Sequence, residues 1–536
     1  MTPVPSRVSD WPSARPPGTR AVWWLFLVAF LLVGPAGGAD SGRNATLWTF
    51  DDPTSPFRPH SGDASLAYFD PDASGWGPAG TAFGTASSFG LPSMAGGDAH
   101  VMRFPALTAR QGYRLEHLAP PNGPYGRSHG IVSNYTLIFD VLYPRDTDGQ
   151  WRALFQTSPE NANDAEFYVQ NRGSGGVGTL TAYHGRIRPD TWHRLAIVVQ
   201  AAPEEGKAQV FVDGRFVGGI GTTDAGLGIR WTLGPELLLF ADGRGLTAGG
   251  YLSSFYFVDR AMSMDTIQAL GGPHAEGALT PCPPAADREE QLPRTVGAIG
   301  HRGGFFCCAP DNTLAAVRMA IRHQIPVVEI DTRLSAEGVS VLMHDRTVDR
   351  TTDGTGQVSA MTVAQLKTLD AGSPFSSEFA GERVPTLAEV MTEAKGKLIL
   401  YLDLKVERQV GAIVEALRES GFDPADCWFY VYADANEARS IRARLRSAKI
   451  IWSDPKENWS TRPDFFQSMR AIGVYGFDVG IAFAEEDPAF VGAAKAAGFV
   501  VAVHTIMDPV TMRRLALAGV DFLETDFPHI VRRLQR

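Results

Sequence analysis

The chain has 536 residues, 44% of them hydrophobic and 20% charged, which excludes a disordered protein and leaves room for two or three full-sized cores. A formal net charge of −10 excludes a nonspecific nucleic-acid binder, because such proteins need a basic footprint to displace counterions from phosphates. Any phosphate must therefore be met by a few local positive groups.

Residues 1–39 read as a signal peptide. Arg7, Arg15 and Arg20 form a basic flank, Ala21 to Val33 is an unbroken apolar run, and Gly37-Gly38-Ala39 supplies small residues for cleavage. The run is shorter than the roughly 20 apolar residues a membrane span needs, so a secreted, periplasmic or extracellular protein is expected rather than one anchored by an uncleaved signal. The cysteines are Cys282, Cys307, Cys308 and Cys427, without zinc-site spacing. In an oxidising compartment Cys282 could pair with Cys307 or Cys308; free thiols are the alternative. Asn44, Asn134 and Asn458 each open an Asn-X-Ser/Thr acceptor, relevant only in a glycosylating host.

From 45 to 272, short alternating runs broken by Gly, Asp and Pro predict strands at Tyr135–Leu142, Trp151–Gln156, Glu166–Gln170, His193–Gln200, Gln209–Val212 and Glu236–Phe240. Asp213-Gly214 is a two-residue hairpin turn, since both residues tolerate positive φ. Many short strands with regular turns mean a β-sandwich or jelly roll. The words Thr191-Trp192-His193-Arg194-Leu195, Val210-Phe211-Val212-Asp213-Gly214, Leu239-Phe240-Ala241-Asp242-Gly243 and Phe255-Tyr256-Phe257 resemble the concanavalin-like, laminin G-like sandwich family. That resemblance implies a glycan or cell-surface ligand, and in some members calcium. Asp213 and Asp242 are read as turn formers rather than metal ligands, and Trp192 and Trp231 as core rather than sugar platforms.

A Pro-rich linker at 273–294 marks the boundary to a second unit, 295–536. There, strands at Val296–Gly300, Val327–Asp331, Leu398–Leu404, Trp428–Tyr432, Lys449–Trp452, Val474–Asp478, Val500–Val503 and Asp521–Leu523 alternate with helical stretches, among them Thr313–His323 and Gln409–Glu419. The run Val339–His344 follows its predecessor too closely for a parallel crossover and should return antiparallel. Eight parallel strands remain, a (β/α)8 TIM barrel.

Chemistry in such a barrel sits at the carboxyl ends of the strands. His301-Arg302-Gly303, Glu329-Ile330-Asp331, His344-Asp345 and Asp403-Leu404-Lys405 all fall there. Glu329 and Asp331 share one strand face, and three carboxylates at one mouth would repel unless a hard divalent cation, Mg²⁺ or Ca²⁺, bridges them. His301 and His344 are the candidate proton handlers, one as acid and one as base. Arg302 and Lys405 could hold phosphate oxygens or neutralise the carboxylates. Together these groups point to phosphodiester cleavage.

The same stretch, through Pro310-Asp311-Asn312-Thr313, Asp349-Arg350-Thr351-Thr352-Asp353-Gly354, Val384-Pro385-Thr386-Leu387 and on to Thr525-Asp526-Phe527-Pro528, resembles glycerophosphodiester phosphodiesterase. The resemblance implies metal-dependent hydrolysis of a glycerophosphodiester to glycerol 3-phosphate and an alcohol. It implies catalytic places for His301 and His344, metal places for Glu329, Asp331 and Asp403, and phosphate places for Arg302 and Lys405. Attack by the neighbouring glycerol hydroxyl, through a cyclic phosphate, is the implied first step. The chain departs from the pattern at His504, in place of an aromatic wall, where it could touch substrate, and at Asp403 and Asp311, where glutamate is usual. The alternatives are a phospholipase D-like enzyme acting on lysophospholipid or sphingolipid, disfavoured by the long insertion 346–395, and a glycan-binding surface protein with a vestigial barrel.

Overall fold

The structure, a computed structural model, describes residues 44–535 apart from 71–75, 171–174, 180–181, 202–205, 223–229, 283–291, 305–308, 376–378, 407–408, 454 and 456–458. The expected signal peptide, Cys307, Cys308 and Asn458 lie outside the described residues. Cys282 and Cys427 carry free thiols, so the free-thiol alternative holds for both. Among the described residues no helix is long and apolar enough to cross a membrane.

The N-terminal unit is built from two antiparallel sheets. The larger runs in the order Arg215–Thr222, Gly206–Val212, His193–Gln200, Asn134–Leu142, Gly250–Val258, His100–Phe104, Ala82–Thr85, with Ala45–Trp48 also pairing Gly250–Val258. The smaller runs Tyr183–His184, Val177–Gly178, Phe167–Val169, Arg152–Gln156, Glu236–Leu239, Gly112–Glu116, Ser65–Phe69. Both line one core, where Phe104 stacks on Phe240 at 4.0 Å and Phe155 on Phe167 at 5.4 Å. Each predicted strand is present within a few residues. The hairpin turn has both residues at positive φ, 52° at Asp213 and 75° at Gly214, as its sequence demands. Trp192 and Trp231 are buried, and Asp242 is consumed by backbone N–H groups of Ala165, Arg244 and Leu246.

Asn134–Leu142 is buried on both faces, and the reason lies outside the sheets. Tyr135, Leu137, Phe139 and Val141 face the shared core, while Ile138, with Ala196, Val198, Phe211 and Phe216, belongs to a cluster continuous with the barrel. The outer face of the larger sheet is thus a second packing surface. Arg194 and Asp140 form a fully buried bidentate pair there, at 2.7 and 2.9 Å, and Arg194 also donates to the carbonyls of Leu270, Gly277 and Thr280. This ties the start of the linker down. Asn134 is buried too, which removes it as a glycosylation acceptor.

The C-terminal unit is a closed barrel. Its strands are β1 (Gly297–Gly300), β2 (Val327–Leu334), β3 (Ser340–Leu342), β4 (Ile399–Leu404), β5 (Cys427–Val431), β6 (Lys449–Ser453), β7 (Val474–Gly480), β8 (Val500–His504) and β9 (Phe522–Thr525). All pairings are parallel except β2 with β3, and β1 pairs with both β2 and β9, closing the ring. The expected antiparallel return is β3. The barrel interior is packed, not hollow: Ile299, Val327, Tyr401, Trp428, Ile451 and Phe522 fill it below the site. The insertion after β3 has its own small core, including Val348, Val358, Leu366 and Val384.

Candidate active site

Strand alternation assembles the acidic centre. On β2, Ile330 points out to the helices while Glu329 and Asp331 point into the mouth, one layer above Val327. The parallel register sets Asp331 beside Asp403 of β4. Carboxylate oxygens of Glu329, Asp331 and Asp403 lie within 4.8 Å of one another, and all three residues are buried. Burial, reinforced by the charges of Asp331 and Asp403, holds the Glu329 carboxyl well above the usual range. Burial would raise Asp331 as well, but Arg302, Lys405, His344 and an Asn312 hydrogen bond outweigh it and hold that carboxyl low.

His301 directly follows β1, where the chain turns sharply through Arg302 in the left-handed region at φ 53°. Gly303 follows at φ 99°, and a Cβ there would come within 2.5 Å of the Ala316 Cβ. This turn aims the Arg302 N–H at Glu329 Oε2, 2.7 Å away, and sets its guanidinium 3.6 Å from Asp331. Asn312 locks Asp331 reciprocally, its Nδ2 donating to Oδ2 at 2.7 Å and its Oδ1 accepting from the Asp331 N–H at 2.9 Å. Lys405 Nζ bridges Asp403 Oδ2 at 2.6 Å and Asp331 Oδ1 at 3.1 Å. Burial pulls the Lys405 ammonium's pKa down, but Asp331 and Asp403 outweigh it and hold that pKa above the usual lysine value.

Each histidine has its own carboxylate. His301 Nδ1 lies 2.7 Å from Asp526 Oδ1, just past β9, and His344 Nδ1 lies 2.6 Å from Asp345 Oδ1. Arg350 donates to Asp345 Oδ2 at 2.6 Å, and Arg333 clamps the His344 carbonyl at 2.7 and 2.9 Å. With the Nδ1 edge of each ring committed to an aspartate, Nε2 is the edge available for proton transfer.

The residues suit a hard cation. Glu329 Oε1 and Asp403 Oδ1 are buried with no hydrogen-bond partner among the described residues, on neighbouring strands and within the same acidic cluster. Buried carboxylate oxygens left unpaired are costly, and an oxygen-ligated divalent ion would satisfy both. A second group, His301, Glu329 and Glu524, shares Glu329.

The glycerophosphoryl diester phosphodiesterase family model matches residues 301–530. These residues form a domain of that family. The mouse glycerophosphodiester phosphodiesterase 1 is 38% identical over 170 residues, 29% of this chain and 51% of its own length. A glycerophosphodiester phosphodiesterase of Caldanaerobacter subterraneus is 29% identical over 250 residues, 44% of this chain and 97% of its own. The chain thus spans about half the length of the mouse relative and nearly all of the bacterial one. An Oleispira antarctica phosphodiesterase solved in complex with sn-glycerol 3-phosphate is 29% identical, covering 45% of this chain and 96% of that one, with a TM-score of 0.40.

Within the family domain, His301, Arg302, Glu329, Asp331, Asp403 and Lys405 meet at one mouth, and His344 lines a pocket with Asn312, whose amide holds Asp331. Arg302 and Lys405 both engage carboxylates, the neutralising contacts that sequence left as an alternative to phosphate binding. His504 ends β8 with Nδ1 2.9 Å from Asp478 and its ring 6.2 Å from that of Tyr430, a separate histidine–aspartate pair. Sequence reading quoted Asp526 within a family word but gave it no role, and missed Glu524 because it ended the last strand at Leu523; one more alternation, Phe522 to Glu524, reaches the buried glutamate. It also missed Tyr432, whose hydroxyl donates to Asp403 Oδ2 at 2.8 Å.

Proposed function

We propose that residues 295–536 hydrolyse glycerophosphodiesters to glycerol 3-phosphate and an alcohol, with a divalent cation, Mg²⁺ or Ca²⁺, held by Glu329, Asp331 and Asp403. The supporting observation is the pairing of two aspartate-backed histidines with a buried carboxylate cluster, two of whose oxygens have no hydrogen-bond partner among the described residues, inside a domain of this family. When bound, such an ion neutralises phosphate charge and polarises phosphoryl oxygen.

His301 and His344 carry the protons. One Nε2 takes the proton of the glycerol 2-hydroxyl as its oxygen attacks phosphorus. The other protonates the departing alkoxide as its P–O bond breaks, leaving a cyclic phosphate and the free alcohol. The roles then reverse: water attacks phosphorus, the bond to the 2-oxygen breaks, and glycerol 3-phosphate leaves. Arg302 and Lys405 supply positive charge at the same mouth for the phosphate oxygens. For residues 45–272 our reading is a concanavalin-like jelly roll with a glycan or cell-surface ligand, and for 1–39 an export signal.

The test is turnover of glycerophosphocholine, glycerophosphoethanolamine, glycerophosphoinositol and lysophospholipids, each with EDTA and with added Mg²⁺ or Ca²⁺. Glycerol 3-phosphate release that EDTA abolishes and cation restores is expected. Full activity in rigorously demetallated protein would overturn the cation assignment, and activity on lysophospholipid alone the substrate class.

A further inference from the structure

The two histidines are backed differently. His344 rests on Asp345, and Asp345 rests on Arg350, all within the barrel and its insertion. His301 rests on Asp526, and Asp526 meets a cation from the other unit: Lys207, on the sheet strand Gly206–Val212, places Nζ 3.4 Å from Asp526 Oδ2. Lys207 is 4% exposed and Asp526 3%. Around it, Ile138, Ala196, Val198 and Phe211 of that sheet face join the cluster shared with the barrel, and Gln209, between Lys207 and Phe211 on the same strand, is buried with them. An ammonium buried in such an interface is costly unless paired.

The docking that brings Lys207 there is specific. Phe216, on the neighbouring strand Arg215–Thr222, packs its ring 4.3 Å from that of Phe527, the residue next to Asp526. Three residues on, the Gly219 N–H donates to the Met507 carbonyl at 2.6 Å. A Cβ at Gly219 would come within 2.8 Å of Met507 Cε and 3.0 Å of the Phe527 ring, so the strand approaches as closely as it does because no side chain intervenes. Two strands of the larger sheet thus grip the turn after β9 from one side while His301 holds it from the other.

We propose that Lys207 is a positioning residue for His301, acting through Asp526, so that the N-terminal unit completes the support of one of the two proton handlers. The ammonium fixes one oxygen of Asp526 and leaves the other to orient the imidazole. This inference rests on the reading of His301 as a proton handler, and its test has one arm that does not need turnover.

In the full chain, kcat and KM of Lys207→Met are measured on the member of the panel above that wild type turns over fastest. A loss in kcat of about ten- to hundredfold with KM within threefold is expected. Lys207→Arg, which keeps the charge, should stay within about fivefold of wild type, and Lys207→Met in an Asp526→Asn background should cost less than about twofold more. Should Lys207→Met melt below the assay temperature, Lys207→Gln takes its place with the same expected loss. Independently of turnover, ¹⁵N-histidine NMR should show a protected low-field Nδ1–H resonance, assigned by its loss in His301→Ala, that shifts or disappears in Lys207→Met. A folded Lys207→Met with kcat within twofold of wild type and an unmoved His301 resonance would overturn the proposal, as would losses that multiply in the double variant. Wild-type inactivity on every substrate sinks the functional reading alone and leaves the NMR arm to decide this one.

Discussion

Asp345→Asn isolates what a backing carboxylate contributes to its histidine. Asp345 contacts His344 Nδ1 at 2.6 Å and Arg350 Nε at 2.6 Å, and Arg350 has a second anion, Asp311, at 3.7 Å. A charged hydrogen bond is worth about 1.5–3 kcal/mol, but asparagine keeps an acceptor and Arg350 keeps Asp311, so a net folding cost of about 1–2 kcal/mol is expected at neutral pH. Burial would raise the Asp345 carboxyl, yet the His344 hydrogen bond and Arg350 hold it well below the ordinary range. A depressed carboxyl stabilises above the unfolded value near 4 and loses that stabilisation as pH falls below it, so the variant's deficit in urea melts should shrink on acidification. For turnover, the lost charge no longer favours the imidazolium or the tautomer with Nδ1–H, and kcat should fall by about 10²-fold or more, at least ~2.7 kcal/mol in barrier. Release of glycerol 3-phosphate, followed enzymatically at saturating substrate, gives kcat directly. A fall under threefold, or a loss carried wholly by KM, would refute the acid–base role assigned to His344.

Glu166, 4% exposed beside Arg230 and Thr157, has its carboxyl pushed up to about 7 from 4.5, burial outweighing both neighbours. The folded state therefore holds a proton the unfolded state has released between those values, and stability falls by about 3 kcal/mol as pH rises through the window. Glu166→Gln should melt higher than wild type at pH 8 and equally at pH 5 by calorimetry, with turnover unchanged; equal differences at both pH values would contradict the assignment. Glu329→Gln removes a buried carboxyl whose ionisation burial, Asp331 and Asp403 all oppose, so without cation the barrel should melt higher, while Mg²⁺ affinity by titration calorimetry should fall at least about tenfold, ~1.4 kcal/mol. Unchanged cation affinity would remove Glu329 from the ligand set.

The barrel was legible because its signals are local. Alternation alone places Glu329 and Asp331 on one face with Ile330 opposite, and the short gap before Val339 forces an antiparallel return whatever surrounds it. The N-terminal strands were legible where an apolar run is sustained, as in His193–Gln200; Ala82–Thr85 was missed because four residues carry too little pattern, and of Gly250–Val258 only Phe255-Tyr256-Phe257 was picked out. The residue types able to hold a cation and move a proton were likewise written in the chain.

What no local pattern could decide is which group stands behind each histidine. Asp345 adjoins His344 in sequence, but Asp526 is 225 residues from His301 and 319 from Lys207. Those partnerships exist only because closing the barrel sets β9 against β1 and because the outer face of the larger sheet buries itself on the turn that follows β9. Side-chain periodicity fixes the face a residue presents; the packing of distant elements fixes what that face meets, and a buried lysine in an apolar strand acquires its meaning only from the carboxylate brought to it.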